Sequence, residues 1–216
     1  DDCSTDNSHE VIYNKLFKNK KYSKTDGHDN TEIYSLVDNN KYIYIRCKIN
    51  RGPSFSRNLG IDISLEDTDV YAILDADDMM KPNKIAIMLD KINENENIGV
   101  VYADYDIFNV NTVNLLREYK EPYSKRRLVR ECIVHSGAMV RKTAFTSCVD
   151  NFGYFDVNLR TAEDYESWIR ISKKYMISHI PQSLTIVRNH NLNSSYVMPN
   201  EVWQRNWSYI QNKHAE

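Results

Sequence analysis

Apolar and polar residues along this chain follow two periods. Short apolar runs bounded by polar residues, at 42–47, 70–74, 98–102, 176–180 and 184–188, are rich in β-branched and aromatic side chains and read as strands. Residues 82–93 instead place Ile85, Met88, Leu89 and Ile92 at i, i+3, i+4 and i+7, the spacing of an amphipathic helix that Pro82 can open. Further helices are predicted over 9–17, capped by the polar residues 1–8, and from Pro53 onward after a turn at Gly52. Two more are predicted: one from Ala162 packed through Tyr165, Trp168, Ile169 and Ser172, and one over 201–213 with Val202, Trp203, Trp207 and Ile210 inward. Residues 18–40 are charged and contain Gly27, so a surface loop with a short helix over 33–37 is expected. Residues 109–131 are polar, and Lys125, Arg126, Arg127 and Arg130 read as the charged face of a helix. The run 132–141 reads as a strand interrupted by Ser136-Gly137-Ala138, small residues that let a ligand approach the backbone closely. Strand alternating with helix predicts βαβ units and a mostly parallel central sheet flanked by helices.

At 216 residues, 41% of them hydrophobic, the chain is long enough for one full core, and a single domain is expected. A formal charge of −2 offers no basic field, which argues against nucleic acid as a partner. Any anionic ligand must be met by local groups. Cys3, Cys47, Cys132 and Cys148 contain no Cys-x-x-Cys pair, so neither a zinc knuckle nor a disulfide framework is indicated and a reducing, cytoplasmic setting fits. No apolar stretch approaches the ~20 residues needed to span a bilayer. Peripheral membrane association would leave little trace in such a sequence.

Candidate chemistry gathers where the 70–74 strand ends. Asp75, Asp77 and Asp78 follow it at once, and three carboxylates so placed repel one another unless something positive sits among them. A hard divalent cation is the usual answer, and a solvated acidic turn is the plain alternative. Acids at the carboxyl end of a strand also occupy the position where open α/β sheets bind ligands. Arg51 and Arg57 lie near the start of the helix opened by Pro53, where an anion would also feel the N-terminal dipole. Glu163 and Asp164 fall in the first turn of their helix, which the dipole favours for structural reasons alone and which also suits a general base. Asp104 and Asp106 face either a pocket or solvent. His190 by itself reads as a surface histidine.

The order of several motifs is more specific than any one of them. Asp-Asp-Cys-Ser-Thr-Asp-Asn-Ser at 1–8, Arg-Asn-Leu-Gly at 57–60, Leu-Asp-Ala-Asp-Asp at 74–78 with Pro82, Gly137-Ala138-Met139, Gly-Tyr-Phe-Asp at 153–156, Glu163-Asp164 with Trp168, and Val-Arg-Asn-His at 187–190 together resemble the family 2 glycosyltransferases of GT-A fold. The resemblance covers the chain to about Ser195. It implies an α/β nucleotide-diphospho-sugar transferase fold, with 1–100 the nucleotide-sugar-binding half, 101–195 the acceptor-binding half and 196–216 a C-terminal helix. It further implies an inverting, hexosyltransferase-like enzyme that moves a sugar from a nucleotide diphosphate donor, here expected to be a UDP-sugar, to a hydroxyl of a glycan, lipid-linked or protein acceptor.

Carried over to these residues, the resemblance implies that Asp1 or Asp2 reads the nucleobase and that Arg57 lies near the diphosphate. Asp75-Ala76-Asp77 is similar to the family's Asp-x-Asp motif. Asp77 is expected to ligate Mn²⁺ or Mg²⁺, and Asp75 to lie nearer the ribose or a metal-bound water. Asp78 would flank the donor sugar, and His190 would reach the metal or diphosphate from the other side. Asp164 would be the catalytic base, with His135, Gly137, Glu163 and Trp168 bordering the acceptor. Family members carry a further strand and helix ahead of the Asp-Asp turn. A longer parent protein is therefore expected, the alternatives being a strand supplied by another polypeptide or a decayed copy. Two rival functions stand beside the transferase: a non-catalytic nucleotide- or sugar-binding remnant, and a Mg²⁺-dependent phosphatase or nucleotidyltransferase built on the same acidic strand end.

Overall fold

The computed structural model describes residues 1–37, 42–66 and 68–215. They pack into two compact units, Asp1–Ile63 and Ser64–Glu216.

The first unit contains α1 (Ser8–Leu16), β1 (Tyr22–Gly27), β2 (Thr31–Leu36), β3 (Ile43–Cys47) and α2 (Pro53–Ser64). Asp29 and Asn30 take left-handed conformations, φ 60° and 58°, and so turn β1 back onto β2. The result is an antiparallel sheet in the order β1-β2-β3. This overturns the loop expected over 18–37 and the short helix over 33–37, whereas 38–40 lie outside the described residues. Phe17 and the inward side chains Tyr34, Leu36 and Tyr44 form the core, rimmed by Ile12, Tyr13, Leu16 and Tyr22. Residues 1–2 run parallel to β3: the Asp1 nitrogen donates to the Ile45 carbonyl at 2.8 Å, and Cys47 N–H donates to the Asp1 carbonyl at 2.8 Å.

The second unit runs through β4 (Val70–Ala72), β5 (Met79–Met80), α3 (Lys84–Asn93), β6 (Ile98–Asn109), β7 (Asn114–Glu118), α4 (Lys125–Leu128), β8 (Met139–Arg141), α5 (Lys142–Cys148), α6 (Glu163–Ser172), β9 (Met176–Asn189), α7 (Ser194–Val197) and α8 (Asn200–His214). Its sheet has the order β4-β8-β6-β9-β5, with β7 beside β6. The α/β class is as expected, but the sheet is mixed rather than mostly parallel. Among the described residues β6 and β9 pair in parallel, and the other pairings are antiparallel. β8 runs antiparallel to β4 and β6, β5 runs antiparallel to β9, and β7 folds back on β6 as a hairpin where a charged helix face was expected; of that helix only the short α4 forms, capped by Ser124.

The two strands expected over 176–188 are one strand, β9. Its pairing steps from Ala103–Ile180 to Asp104–Ser183, so Pro181 and Gln182 bulge out of the ladder, where a residue without N–H is tolerated. Likewise β8 covers only the end of the strand expected over 132–141. Met88 and Ile92 of α3 pack on Ile98, Val101, Ala103, Met139, Ile180 and Leu184. Two details of α3 differ from expectation. Pro82 sits in the turn before the helix, and Ile85 is 43% exposed while Lys84 takes the inward position.

Around α6 the core is partly ionic. Glu166 is wholly buried and accepts from Arg170 Nη2 at 2.9 Å, Lys213 Nζ at 3.0 Å and His214 Nε2 at 3.0 Å. Lys213 Nζ also meets Asp156 at 2.7 Å and Asp150 at 2.8 Å, so the end of α8 is tied to α6 and to the 150–156 turn. Trp207 stacks on Tyr165 beside this network, with ring centroids 4.8 Å apart, and Ile210 is buried, while Val202 and Trp203 are only half-buried. No helix of the described residues is long and apolar enough to cross a membrane.

Candidate active site

In the 64–216 unit the acids that follow β4 form a tight turn, closed by the Asp78 N–H on the Asp75 carbonyl at 3.0 Å. Ser136 Oγ donates to Asp75 Oδ2 at 2.9 Å. Asp77 Oδ2 accepts from His190 Nε2 at 3.0 Å and from Asn193 Nδ2 at 3.2 Å. Arg188 completes the latch, its Nε on the Asp77 carbonyl at 2.6 Å and its backbone N–H on Asp78 Oδ1 at 3.1 Å. The segment that follows β9 is thus fastened to the acidic turn across more than a hundred residues. Burial pushes the Asp78 carboxyl up to about 6; the Arg188 N–H works against this, and the nearby Asp75 and Asp77 add to it.

The positive group that such a turn calls for includes one that local pattern did not reveal. Lys84 is 1% exposed, and its Nζ donates to Thr185 Oγ1 at 2.9 Å. Burial pulls this lysine down to about 8, against the opposing pull of Asp78 and Asp75. Gly137 closes over it: a Cβ there would stand 2.9 Å from His135 Nδ1 and 3.1 Å from Lys84 Nζ, which explains a glycine at this point. The one available signal was a lysine on the same helix row as Met88 and Ile92.

Because the folded state gives up the Lys84 proton near pH 8 and the unfolded chain near 10.5, charging this lysine costs stability below about 8. That cost is relieved as pH rises from about 8 to 10.5. Lys84→Met removes the cost, so the stability gap between variant and wild type should shrink by roughly 2 kcal/mol between pH 7 and pH 10. Denaturant titrations of both proteins at the two pH values measure it, and an unchanged gap would show that the ammonium is not confined as described.

Whether these side chains fit a divalent cation is a question of donor chemistry. Asp77 is a carboxylate about one-third exposed whose two side-chain donors converge on a single oxygen. Hard cations of the Mg²⁺ kind are commonly held by one or two carboxylates, with water and substrate phosphates supplying the rest, and Asp77 fits that role. His190 fits it less directly. Its Nδ1 accepts the Leu192 N–H at 3.2 Å, which leaves the proton of the neutral ring on Nε2, facing Asp77. Ligation through Nε2 would require that proton to move, whereas donation to Asp77 orients the carboxylate as things stand. Among the described residues no group of three or more His, Cys, Asp or Glu side chains converges as a ready ligand set.

Asp164 is half-buried in the first turn of α6, its Oδ1 accepting the Tyr165 N–H at 2.7 Å. The residue before this turn, Ala162, is held in the left-handed region with φ 60°, a conformation that costs a non-glycine residue on the order of 1 kcal/mol. The irregular segment 132–137 connects this helix start to the acidic turn. At one end the carboxylates of Asp164 and Glu163 are near enough to act on the charge of the Cys132 thiol. At the other, Ser136 bonds Asp75 and the His135 ring feels the Asp75 charge.

His135 is pulled down to about 4 by burial, with Asp75 opposing, so the ring is neutral at pH 7; its Nδ1 accepts the Gly137 N–H at 2.9 Å. It lies against Tyr105, with centroids 4.4 Å apart, and Lys120 Nζ stands 5.3 Å from the centroid of the same tyrosine ring. His135 and Gly137 therefore lie on the stretch of chain that Ser136 ties to Asp75. Trp168 does not join them: its indole is wholly buried, edge-on to Phe155 at 6.2 Å. Asp104 and Asp106 are both buried rather than solvated, Asp106 pairing with Lys81 at 2.5 Å.

The remaining candidates belong to the 1–63 unit. Asp2 accepts the backbone N–H groups of Arg51 and Gly52 at 2.9 and 2.6 Å and so shapes the turn before α2, where Gly52 has φ 90°. Asp1 accepts from the Tyr44 hydroxyl at 2.8 Å and from the Ser4 N–H at 2.8 Å. Arg51 pairs with Asp29 at 3.2 Å and lies over the Phe55 ring, and Arg57 is half-exposed on α2.

The family model for glycosyl transferase family 2 matches residues 1–148. An uncharacterized glycosyltransferase of Rickettsia bellii is 27% identical over 177 residues, covering 82% of this chain and 25% of its own. Those of Methanocaldococcus jannaschii and Bacillus subtilis are 28% and 27% identical, covering 70% and 63% of this chain and 52% and 50% of theirs. The chain thus spans between a quarter and about half the length of these relatives. It belongs to glycosyl transferase family 2, and its helix-flanked mixed sheet is the GT-A fold of that family.

Proposed function

We propose that this chain carries the centre of an inverting sugar transfer, from a nucleotide diphosphate sugar, a UDP-sugar by preference, to a hydroxyl of a glycan, lipid-linked or protein acceptor. The observation that carries this reading is the fastened acidic turn, in which Ser136 bonds Asp75 and His190, Asn193 and Arg188 hold Asp77. In this reading Asp164 takes the proton of the attacking hydroxyl, worth roughly a hundred- to ten-thousand-fold in rate. The strained Ala162 just before it supports an aimed carboxylate. Attack from the face opposite the leaving group inverts the anomeric carbon and needs only this one base, unlike the carboxylate pair of a glycoside hydrolase.

Asp77 would hold Mn²⁺ or Mg²⁺, and a cation bound there would stabilise the charge that grows on the departing nucleoside diphosphate. His190 and Asn193 keep the Asp77 carboxylate oriented. Lys84 offsets part of the acids' mutual repulsion from below, and Asp78 and Asp75 border the donor. His135, neutral and locked to the Gly137 N–H, shapes the acceptor side without competing for the proton.

The test is a screen of nucleotide sugars with Mn²⁺, following thermal stabilisation and release of nucleoside diphosphate. Stabilisation by UDP that is lost on chelation, together with acceptor-dependent UDP release, is the expected result. Binding without turnover would favour a non-catalytic remnant. Phosphate release without sugar transfer would favour a phosphatase.

A further inference from the structure

A second polar centre lies away from the acidic turn, where β9 faces the irregular segment that follows β7. His179 and Asp104 are buried here, their side chains 7% and 2% exposed, with Nε2 and Oδ1 2.9 Å apart. A carboxylate only accepts, so the neutral imidazole places its proton on Nε2, and its Nδ1 keeps a free lone pair. No described group donates to that nitrogen. The His179 ring is fixed in plane by Tyr102, 4.8 Å away between centroids.

The same two residues of β6 pin the opposite wall by its backbone. Tyr102 donates its hydroxyl to the Glu121 carbonyl at 2.6 Å, and Asp104 Oδ1 accepts the Lys120 N–H at 2.8 Å. Asp104 Oδ2 is steadied by Arg117 at 3.4 Å. Between these walls is a cavity of about 600 Å³, lined by Asp104, His179 and Ser178 on one side and by Tyr119, Lys120 and Tyr123 on the other. That is the size range of small-molecule sites, and the walls are pre-formed by buried hydrogen bonds rather than left to the ligand.

We propose that this cavity is a carbohydrate-binding site, separate from the 75–78 and 163–164 centre, that takes a pyranose unit of a glycan. The tyrosine and proline faces offer flat apolar surface to the C–H face of a sugar ring. With Nε2–H donated to Asp104, the neutral His179 ring offers Nδ1 as an acceptor for a sugar hydroxyl. The site does not depend on the transfer chemistry, since Asp164 contributes nothing to its lining.

The experiment is binding of the purified chain to a printed array of defined glycans, with hits measured in solution by saturation-transfer NMR. Wild type should bind a subset of the array, and Tyr119→Ala, at a residue 74% exposed whose removal spares the core, should weaken the hits about fivefold. His179→Ala should weaken them about tenfold, with thermal melting confirming that it folds. An array on which no glycan binds, or hits unaltered by both cavity variants, would each overturn the proposal, the second by placing the sugar elsewhere.

Discussion

Asp164→Asn is expected to lower the rate of sugar transfer by roughly a hundred- to ten-thousand-fold while leaving donor binding unchanged. The amide has the shape of the carboxylate, and its oxygen can still accept the Tyr165 N–H that Asp164 Oδ1 accepts at 2.7 Å. The strained turn at Ala162 and the packing of Tyr165 are therefore preserved, and what disappears is the ability to take a proton. Because the loss belongs to the transition state, turnover should fall with little change in the donor concentration for half-maximal rate. UDP-dependent thermal stabilisation should match wild type. Transfer within a few-fold of wild type would remove Asp164 as the base and move the search to Glu163, 7% exposed beside it.

The second large effect belongs to Asp77. Asp77→Ala should abolish the dependence of nucleotide binding on Mn²⁺ or Mg²⁺ and, with it, turnover by two orders of magnitude or more, since a Lewis acid at a diphosphate contributes several kcal/mol. The substitution also frees His190 Nε2 and Asn193 Nδ2, which meet on the same oxygen. Loosening of the segment after β9 would accompany it, so melting without ligand is the necessary companion measurement. A small loss of melting temperature with complete loss of the metal effect is the expected pattern. Metal-dependent binding that survives in this variant would assign the cation to other groups.

Much of this arrangement was visible in local patterns, and the exceptions have physical causes. The strand ending at three acids, the helix over 84–93 and the acidic start of α6 each depend on neighbours within a few residues, which periodicity and capping report well. The β1–β2 hairpin was missed because β1 is polar and exposed along most of its length, so it shows no apolar alternation to mark a strand. The direction of the strands was misjudged because β8 and β5 join the sheet antiparallel through partners distant in sequence, and because β7 returns as a hairpin from a stretch whose basic residues resemble a helix face.

Lys84 escaped notice for a different reason. A lysine is assigned to the surface by type, and only the packing of α3 against β9 and Gly137 turns it inward. The contact of His190 with Asp77 spans 113 positions in sequence, so no window along the chain could contain it. Trp168 shows the converse: the motif alone places it at the acceptor, but its indole is wholly buried against Phe155, as the packing pattern of the helix indicates.

The ionic cluster between α6 and α8 should set how the protein tolerates its medium. Dissolved ions screen exposed charges within about 10 Å at 0.1 M but cannot enter a site whose acceptor, Glu166, is wholly enclosed. Melting temperature should therefore stay nearly flat as ionic strength rises. Acid acts otherwise: burial raises the Glu166 carboxyl, but His214, Arg170 and Lys213 outweigh it and hold the group below 4.5. Its contribution is complete above that value and vanishes as pH falls through the lower, folded one, so sour rather than briny conditions will part the last helix from its seat.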